Sequence, residues 1–332
     1  MSRADRPRVL VTGGAGYVGS VLVPFLERQG YATRVVDIFF FCDEAEWRAD
    51  NPDTEVIIGD IRDPAVRAAA VAGQDAVIHL AAVSNDPCAD LDPRITEEIN
   101  LSAVVDLVAA ARDAGVHRFV NASSSTVYGV KDTDRVPETS SLEPITLYGR
   151  LKAESEAHVL ATASPDFTAV SLRSATVCGP SPRQRLDLTV NILTHHAVVR
   201  GKITVHGGSQ TRPQVHIEDL ARAYLAVLEA DPVLVNGRAF NIGVENFSVL
   251  EIAELVRDTV GNDASIVIEP VFDARSYRLS TELFTDTLGF TYTKRVRDAI
   301  CDLADAFAAG RIPEPEDSRY HNIRVMKERG FR

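Results

Sequence analysis

Short runs of β-branched and other apolar residues alternate with amphipathic segments along the first half of the chain. The apolar runs include RVLVTG, ATRVVDI, EVIIGDI, AVIHLAA and RFVNASSS, and they are separated by segments such as VGSVLVPFLERQG that have helical periodicity. Strands that are apolar at nearly every position are typical of a parallel sheet covered on both faces by crossover helices. The pattern therefore predicts an α/β fold with a doubly wound parallel sheet.

After about Gly179 the pattern changes to longer amphipathic helices with isolated strands between them. The runs ITVHG, RAFNIG and SIVIEP predict strands, and IEDLARAYLAVLEA and SVLEIAELVRDTVG have helical periodicity. A chain of 332 residues is long for one compact core. We therefore expect a doubly wound α/β domain over residues 1–179 and a smaller mixed α/β lobe over residues 180–332, with a cleft between them.

Composition and charge narrow the classes of partner. The chain is 45% hydrophobic and 25% charged, and no apolar run approaches the roughly 20 residues that a membrane span needs. The formal charge of -12, without clusters of Lys and Arg, argues against a nucleic-acid surface. The polar start MSRADRPR passes directly into a strand without a secretory signal, which predicts a cytoplasmic protein. The cysteines lack zinc or redox spacing and are interpreted as structural thiols.

The segment VTGGAGYVGS follows the first predicted strand and opens the first predicted helix. Its glycines have the spacing of a dinucleotide-binding turn: Gly13, Gly14, Gly16 and Gly19. Small residues there let backbone N–H groups approach a diphosphate. Asp37 ends the second strand roughly 20 residues further on, where a carboxylate accepts from both ribose hydroxyls and repels a 2′-phosphate. This favours NAD over NADP. The positive charge of the nearby Arg34 has the opposite effect, because it would attract a 2′-phosphate.

Other strand ends extend the predicted cofactor site. Asp60 and Ile61 are placed to meet an adenine, although Asp60 or Asp63 capping the next helix is an equal alternative. His79 is interpreted as a buried strand residue rather than a catalyst. The residues predicted to bind the cofactor in this part of the chain are Gly13, Gly16, Tyr17, Val18, Gly19, Asp37, Asp60, Ile61, Leu80, Ala81 and Ala82.

The stretch YGRLK places Tyr148 and Lys152 four residues apart at the start of a predicted helix. This spacing puts both side chains on one face, with the ammonium close to the phenol. A nearby positive charge lowers a phenol's pKa from about 10 toward neutrality and makes it a general base for an alcohol or sugar hydroxyl. The hydroxyl-rich stretch SSSTVYG ends a predicted strand about twenty residues earlier and supplies a partner for such a base.

In combination, the motifs GGAGYVG, GDIRD, HLAA, SSSTVYG, YGRLK, LRSATVCGP and RPQVHIEDLARA resemble those of the extended short-chain dehydrogenase/reductase family. This family includes NAD-dependent nucleotide-sugar epimerases, dehydratases and decarboxylases, and the resemblance covers nearly the whole chain. It implies a Rossmann-type sheet, a nucleotide-sugar lobe and NAD as the cofactor. It also implies that Tyr148 is the catalytic base, that Lys152 binds the nicotinamide ribose and tunes Tyr148, and that Ser124 binds the substrate hydroxyl.

The two positions after Ser124 distinguish reactions within that family. Dehydratases carry Asp and Glu there, and glucuronate decarboxylases usually carry Glu at the second position. This chain has Ser125 and Thr126, similar to 4-epimerases, and a hydroxyl cannot replace a carboxylic acid as proton donor. We therefore predict a 4-epimerase, with nucleotide-glucuronate decarboxylation and then 4-keto-sugar reduction as alternatives. A non-catalytic NAD-sensing or scaffold protein is a further alternative, against which the intact Ser124, Tyr148 and Lys152 argue.

The resemblance also implies a set of residues that bind a nucleotide-diphosphate sugar. They are Ser84, Asp86, Thr176, Asn191, Arg212 and Arg275. The two arginines match the family's diphosphate-binding pair, for which a planar guanidinium is suited. Thr176 stands where many 4-epimerases have Asn, and Pro213 follows Arg212 in place of the usual acidic residue. Asp86 either supplies a carboxylate to the sugar or caps the following helix.

Two further expectations concern metals and assembly. His195 and His196 have no carboxylates at ligand spacing, so no metal site is predicted. Family members commonly dimerise through the helix that carries Tyr148 and the helix before it, which predicts a homodimer. The apolar positions that form either a dimer seam or part of the chain's own core are Leu101, Val104, Val105 and Val108.

Overall fold

The computed structural model describes residues 6–131, 133, 135–261, 263–270 and 276–331. The strands are β1 (Arg8–Thr12), β2 (Ala32–Asp37), β3 (Glu55–Ile58), β4 (Ala76–His79), β5 (Arg118–Ser124), β6 (Thr168–Ser174), β7 (Thr176–Cys178), β8 (Lys202–His206), β9 (Thr211–His216), β10 (Arg238–Ile242), β11 (Glu245–Ser248) and β12 (Ser265–Glu269). The helices are α1 (Gly19–Arg28), α2 (Glu44–Asp50), α3 (Pro64–Val71), α4 (Asp86–Ala89), α5 (Pro93–Glu97), α6 (Ala103–Asp113), α7 (Leu147–Ala161), α8 (Thr189–His195), α9 (Ile217–Glu229), α10 (Pro232–Val235), α11 (Val249–Val260), α12 (Glu282–Leu288), α13 (Val296–Ala308) and α14 (Asn322–Arg329). Short π-helical or 3-10 turns cover Glu98–Ser102, Ser125–Tyr128, His196–Arg200 and Ser318–Tyr320.

Seven of the described strands form one sheet in the order β10-β6-β5-β4-β1-β2-β3. All neighbouring strands in it run parallel. The chain builds outward from β1 to β3, returns to β4 on the other side of β1, and builds outward again. The direction of winding thus reverses between β1 and β4, and such a reversal opens a crevice at the carboxyl ends of the strands. The predicted doubly wound α/β fold is confirmed.

The central strands are apolar because helices cover both faces of the sheet. On β1, Val9 and Val11 pack into one hydrophobic cluster together with Leu22 of α1. The intervening Leu10 points to the opposite face and packs into a second cluster with Leu107 of α6. Successive side chains of a strand face opposite sides, so burial of both sets requires an apolar residue at every position.

The remaining strands form a three-stranded sheet, β11-β9-β7, and a two-stranded sheet, β12-β8, among the described residues. Helices α8, α11 and α13 pack around a third hydrophobic cluster beside these sheets. However, β10 returns to the large sheet and pairs with β6. The segment after residue 179 therefore contributes to both parts of the molecule.

The seam residues of α6 and the turn before it divide into two sets. Val104 and Val108 are buried in the same cluster as Leu107, so they belong to the chain's own core. Leu101 and Val105 are half-buried, and the homodimer stays a prediction. The cysteines are all free thiols. Within the described ranges, no helix combines the length and apolar character that crossing a membrane requires.

Candidate active site

A cavity of about 530 Å³ opens at the carboxyl ends of the large sheet's strands. Its wall includes the glycine-rich loop after β1, the ends of β2 to β5, and the start of α7. Residues from the second half of the chain, such as Thr176 and Arg212, close the other side. The topology of the sheet places a ligand site at this edge. The glycine-rich loop, Asp37, Ser124, Tyr148 and Lys152 all line it.

The glycine-rich loop is shaped by close backbone contacts. Gly13 has a φ of +68°, and a Cβ there would lie 2.7 Å from the backbone nitrogen of Ala81. A Cβ on Gly19 would lie 2.5 Å from the carbonyl oxygen of Gly14, so the start of α1 packs directly on the loop. Among the described residues, the backbone N–H groups of Tyr17 and Val18 make no hydrogen bond. Free N–H groups at a helix N-terminus fit the diphosphate of a dinucleotide.

Asp37 lies at the end of β2 and on the cavity wall, as predicted. Its carboxylate accepts hydrogen bonds from the backbone N–H groups of Ala15, at 3.0 Å, and Phe39, at 2.8 Å. Burial raises the pKa of Asp37, and these N–H groups partly offset that rise. The opposing Arg34 is engaged elsewhere, since its Nε lies 3.0 Å from Glu55 and its Nη1 donates to carbonyls of the 69–72 turn. The site therefore fits an unphosphorylated ribose.

The alternative readings of Asp60 are resolved by the helix that follows it. Asp63, not Asp60, caps α3, because its side chain accepts from the N–H of Ala65. Asp60 lies on the cavity wall and pairs with Arg62, whose Nη2 is 2.7 Å from its carboxylate. Burial opposes ionisation, but the hydrogen bonds and charge of Arg62 hold the pKa of Asp60 below its usual value. The other predicted cofactor residues on the wall are Ile61, Leu80, Ala81 and Ala82.

The hydroxyl groups after β5 form a small network on the cavity wall. The Oγ of Ser124 accepts a hydrogen bond from Oγ1 of Thr126 at 2.9 Å, while the Oγ of Ser125 lies 3.0 Å from the hydroxyl of Tyr277. The Ser125–Tyr128 turn bends the chain sharply at this point, which brings consecutive hydroxyls to one wall. Ser124 also lies close enough to the Tyr148 phenol to lower its pKa, which partly offsets the larger rise caused by burial.

Tyr148 and Lys152 lie in the first turns of α7, which is capped by Thr146. The Nζ of Lys152 donates to the carbonyl oxygen of Ala122 at 2.7 Å and lies 5.9 Å from the centre of the Tyr148 ring. Burial lowers the pKa of Lys152 to about 8. The predicted shift of Tyr148 toward neutrality is wrong for the protein alone: burial, followed by the negative charge of Asp86, raises its pKa to about 12. Proximity of Lys152 does not outweigh desolvation of the phenolate.

Most predicted substrate residues line the cavity, but Asn191 does not. Ser84, Asp86, Thr176 and Arg212 are on its wall. Asn191 is fully buried behind the wall, where it bonds to the hydroxyl of Tyr17 and to backbone atoms of Gly179 and Arg185. The direct ligand contact predicted for Asn191 is therefore corrected to a bracing role. Arg275 lies outside the described residues.

The capping role considered for Asp86 belongs to its neighbour. Asn85 has a φ of 72°, and its side chain accepts from the N–H of Cys88, so Asn85 caps α4. Asp86 occupies the first turn of α4, is buried, and lies on the cavity wall close enough to raise the pKa of Tyr148. The contact of this carboxylate with a sugar, the other role considered for Asp86, stays a prediction.

Sequence reasoning missed several cavity residues that come from distant parts of the chain. They are Arg183, Arg185, Asp187, Tyr277, Asn322 and Phe331. The charged run RQRLD, with two arginines in three residues beside an aspartate, was the available signal for the first three. Asn322 lies in the polar C-terminal tail, where no motif marks it. His195 and His196 are buried, and no group of side chains suited to a metal ion exists among the described residues.

Comparison with known proteins agrees with this geometry and defines the class of enzyme. The chain matches the NAD dependent epimerase/dehydratase family over residues 9–243. It belongs to that family, within the extended short-chain dehydrogenase/reductases, and its cofactor is NAD.

Individual relatives match most of the chain, and their names include both epimerases and decarboxylases. A UDP-glucose 4-epimerase of Corynebacterium glutamicum is 28% identical over 304 residues, which are 86% of this chain and 90% of that protein. UDP-glucuronic acid decarboxylase 1 of Arabidopsis thaliana is 30% identical over 280 residues, 80% of this chain and 61% of the relative. The solved structure of MoeE5 in complex with UDP-glucuronic acid and NAD is 28% identical, with a TM-score of 0.80, over 91% of this chain and 99% of that one.

Proposed function

We propose that this protein interconverts the C4 epimers of a nucleotide-diphosphate sugar through a transient 4-keto sugar. The observation that supports this reaction is the composition of the wall around the catalytic tyrosine. Ser124 lies within reach of Tyr148, and the next two positions carry the hydroxyls of Ser125 and Thr126 rather than carboxylic acids. Hydroxyls with pKa values far above neutrality are poor acids for eliminating water. Oxidation and re-reduction of one carbon need no such acid.

Ser124 and Tyr148 act on the proton of the sugar hydroxyl. Ser124 orients that hydroxyl, and the phenolate oxygen of Tyr148 accepts its proton as C4 becomes a ketone. When bound, NAD supplies the hydride acceptor and the positive charge of its oxidised ring. Since the pKa of Tyr148 is about 12 in the protein alone, forming the phenolate near pH 7 depends on added positive charge. Lys152, with a pKa of about 8, remains mostly protonated at neutral pH and contributes to it.

The return step uses the same groups in the opposite direction. Tyr148 gives the proton back to the oxygen at C4 as the ketone is reduced from its other face, with the hydride that bound NAD would hold between the two half-reactions. The cycle is redox-neutral and regenerates NAD. Ser125 is bonded to Tyr277 and Thr126 to Ser124, so the two positions after Ser124 hold no carboxylic acid that would divert the ketone into elimination.

The experiment offers a panel of nucleotide-diphosphate sugars to the purified protein with catalytic NAD and identifies products by NMR. We expect C4 epimers to interconvert with no net change in nicotinamide absorbance at steady state. Stoichiometric consumption of added NADH would instead assign a 4-keto-sugar reductase. A protein that binds NAD but converts no member of a broad panel would favour the non-catalytic alternative.

Decarboxylation of a nucleotide-glucuronate is the second candidate, and similarity to the Arabidopsis decarboxylase favours it. Oxidation at C4 makes the C5 carboxylate a β-keto acid, which loses carbon dioxide readily. This reaction is also redox-neutral if the resulting ketone is reduced again, so absorbance does not separate it from epimerisation. Release of carbon dioxide does, and would make Asp86 and Thr126 the next residues to vary.

A further inference from the structure

The segment 179–187 follows β7 and lies against the glycine-rich loop. The Oγ of Ser181 donates to the carbonyl oxygen of Tyr17 at 2.8 Å, and the hydroxyl of Tyr17 donates to the carbonyl oxygen of Gly179 at 2.7 Å. These two contacts fix the segment beside the start of α1. Arg183, two residues after Ser181, is thereby brought to the wall of the cavity on the side of that loop.

Arg183 is a buried cation that makes no direct ion pair with a carboxylate of the described residues; burial lowers its pKa to about 10, and the more distant charges of Asp187 and Asp37 only partly offset that fall. It is only 6% exposed, and its guanidinium lies 4.7 Å from the ring centre of Phe41. Its Nη2 donates to Oδ1 of Asn322 at 2.6 Å, whereas its Nε makes no hydrogen bond to any described residue. Arg185, by contrast, is paired with Asp187 at 2.8 Å. A buried charge without a directly bonded counter-ion is unfavourable, and a bound anion would stabilise it.

The partner that fits is an anion held by the adjacent loop. The free N–H groups of Tyr17 and Val18 already mark this loop as the place of the cofactor's diphosphate. A guanidinium is suited to phosphate oxygens because its planar fork gives parallel hydrogen bonds. We propose that Arg183 binds the diphosphate of NAD and that Asn322 is the positioning residue that orients it. This assignment is independent of the reaction the enzyme carries out.

The position of Asn322 connects the C-terminal part of the chain to the cofactor site. The match to the family ends at residue 243, and Asn322 begins helix α14 near the end of the chain. Its Nδ2 also donates to Ser84 at 3.2 Å, and its backbone N–H donates to Asp187 at 3.0 Å. Arg329 of the same helix donates to the carbonyl oxygen of Phe40, so the C-terminal segment 318–331 contacts three loops of the cavity: the one after β2, the one after β4 and the segment 179–187. Through Arg183 it becomes part of the cofactor site.

The test measures binding rather than turnover, on full-length protein freed of nucleotide with charcoal. Dissociation constants for ADP-ribose, UDP and adenosine are determined by calorimetry for the wild type, Arg183→Gln and Arg183→Lys. We expect Arg183→Gln to weaken ADP-ribose binding about 10- to 100-fold, the scale of one charge-assisted hydrogen bond. Adenosine has no phosphate and UDP occupies the substrate position, so neither should weaken. Arg183→Lys keeps a positive charge and should recover part of the loss. Arg324→Gln, an exposed charge on α14, is the matched control.

Asn322 is tested in a double-mutant cycle with Arg183. Asn322→Ala should weaken ADP-ribose binding in the wild-type background and have little further effect in Arg183→Gln, because the two act through one contact. Additive effects would contradict the positioning role. Selective loss of UDP affinity in Arg183→Gln would move Arg183 to the substrate's diphosphate and overturn the proposal, as would unchanged ADP-ribose affinity. Equal weakening of all ligands, adenosine included, would indicate a structural defect and also overturn it.

Discussion

The carboxylate of Glu156 accepts hydrogen bonds from the guanidinium of Arg173 inside the protein, with Nη2 of the arginine 2.6 Å from Oε1. Glu156 lies one helical turn after Lys152 on α7, and both members of the pair are buried. The Nη1 of Arg173 also donates to the hydroxyl of Tyr128 at 2.7 Å, in the turn that follows Ser124. The pair therefore ties the helix of the catalytic residues to the hydroxyl-rich strand end.

Removing one member of this pair should be strongly destabilising. Glu156→Gln leaves the guanidinium of Arg173 buried without its counter-charge, and we expect the free energy of unfolding to fall by about 3–5 kcal/mol. Denaturant titration measures the change. Glu154→Gln, an exposed position on the same helix, is the control and should change stability by less than about 0.5 kcal/mol. Similar stability of the two variants would show that the ion pair contributes little.

Tyr148→Phe should abolish most turnover while preserving the fold and NAD binding. The ring keeps its place on α7 and loses only the hydroxyl that accepts the proton. We expect turnover to fall by on the order of 100-fold or more, the usual scale for a positioned general base. Tyr31→Phe serves as control, because that hydroxyl bonds to Glu229 at 3.4 Å away from the cavity wall. Near-normal turnover in Tyr148→Phe would remove Tyr148 from the mechanism.

Asp37 should determine the preference for NAD over NADP. Two ribose hydroxyls can donate to its carboxylate, whereas a 2′-phosphate meets a like charge. Calorimetry should show much tighter binding of NAD by the wild type, and Asp37→Ser should lose most of that discrimination. Arg34→Gln is the complementary variant: with Arg34 held by Glu55 at 3.0 Å, it should leave the NAD-to-NADP ratio unchanged. Equal affinities for both dinucleotides in the wild type would contradict the role of Asp37.

The parts of the site that sequence could predict are those encoded by local spacing. The glycine-rich loop, Asp37 at a strand end, and Tyr148 with Lys152 on one helical face each depend on residues close together in the chain. Arg183 and Asn322 meet only because the fold brings segments 139 residues apart into contact, which no local pattern records. The residue that caps α4 is Asn85 rather than Asp86, because the helix begins one residue earlier than the sequence pattern indicated. Asn85 also has a positive φ of 72°, a backbone conformation that the surrounding turn decides.

The pKa of Tyr148 shows a second limit of sequence reasoning. Its four-residue spacing from Lys152 correctly placed both side chains on the cavity wall. However, the sign of the shift depends on how much solvent each group loses, and burial raises the pKa of the phenol to about 12 while it lowers that of Lys152 to about 8. Desolvation acts on the charged form of each group and is set by all surrounding residues.

Two adjacent histidines should make the protein less stable in mild acid. His195 and His196 are buried at the end of α8. Burial lowers the pKa of each to about 4, and the positive charge of Arg200 contributes in the same direction, while Glu316 partly opposes it. In the unfolded chain both take up protons near pH 6.5. The unfolded state therefore binds more protons as the pH falls from 6.5 toward 4, and stability falls through that window.

Between pH 6.5 and 5, where few carboxylates titrate, we expect this pair to remove about 3 kcal/mol from the free energy of unfolding, because the slope for each histidine rises from about 0.7 kcal/mol per pH unit at pH 6.5 to about 1.4 kcal/mol per pH unit near pH 5. Denaturant titrations at several pH values measure the slope. The double variant His195→Gln with His196→Gln cannot gain these two protons, so its stability should fall less steeply across the same range, even if it starts lower. The slope that remains comes from His79, His216 and His321, whose pKa values burial also lowers. The exposed His117 provides the control, since His117→Gln should retain the wild-type slope. A wild-type slope in the double variant would mean that other groups carry the acid sensitivity.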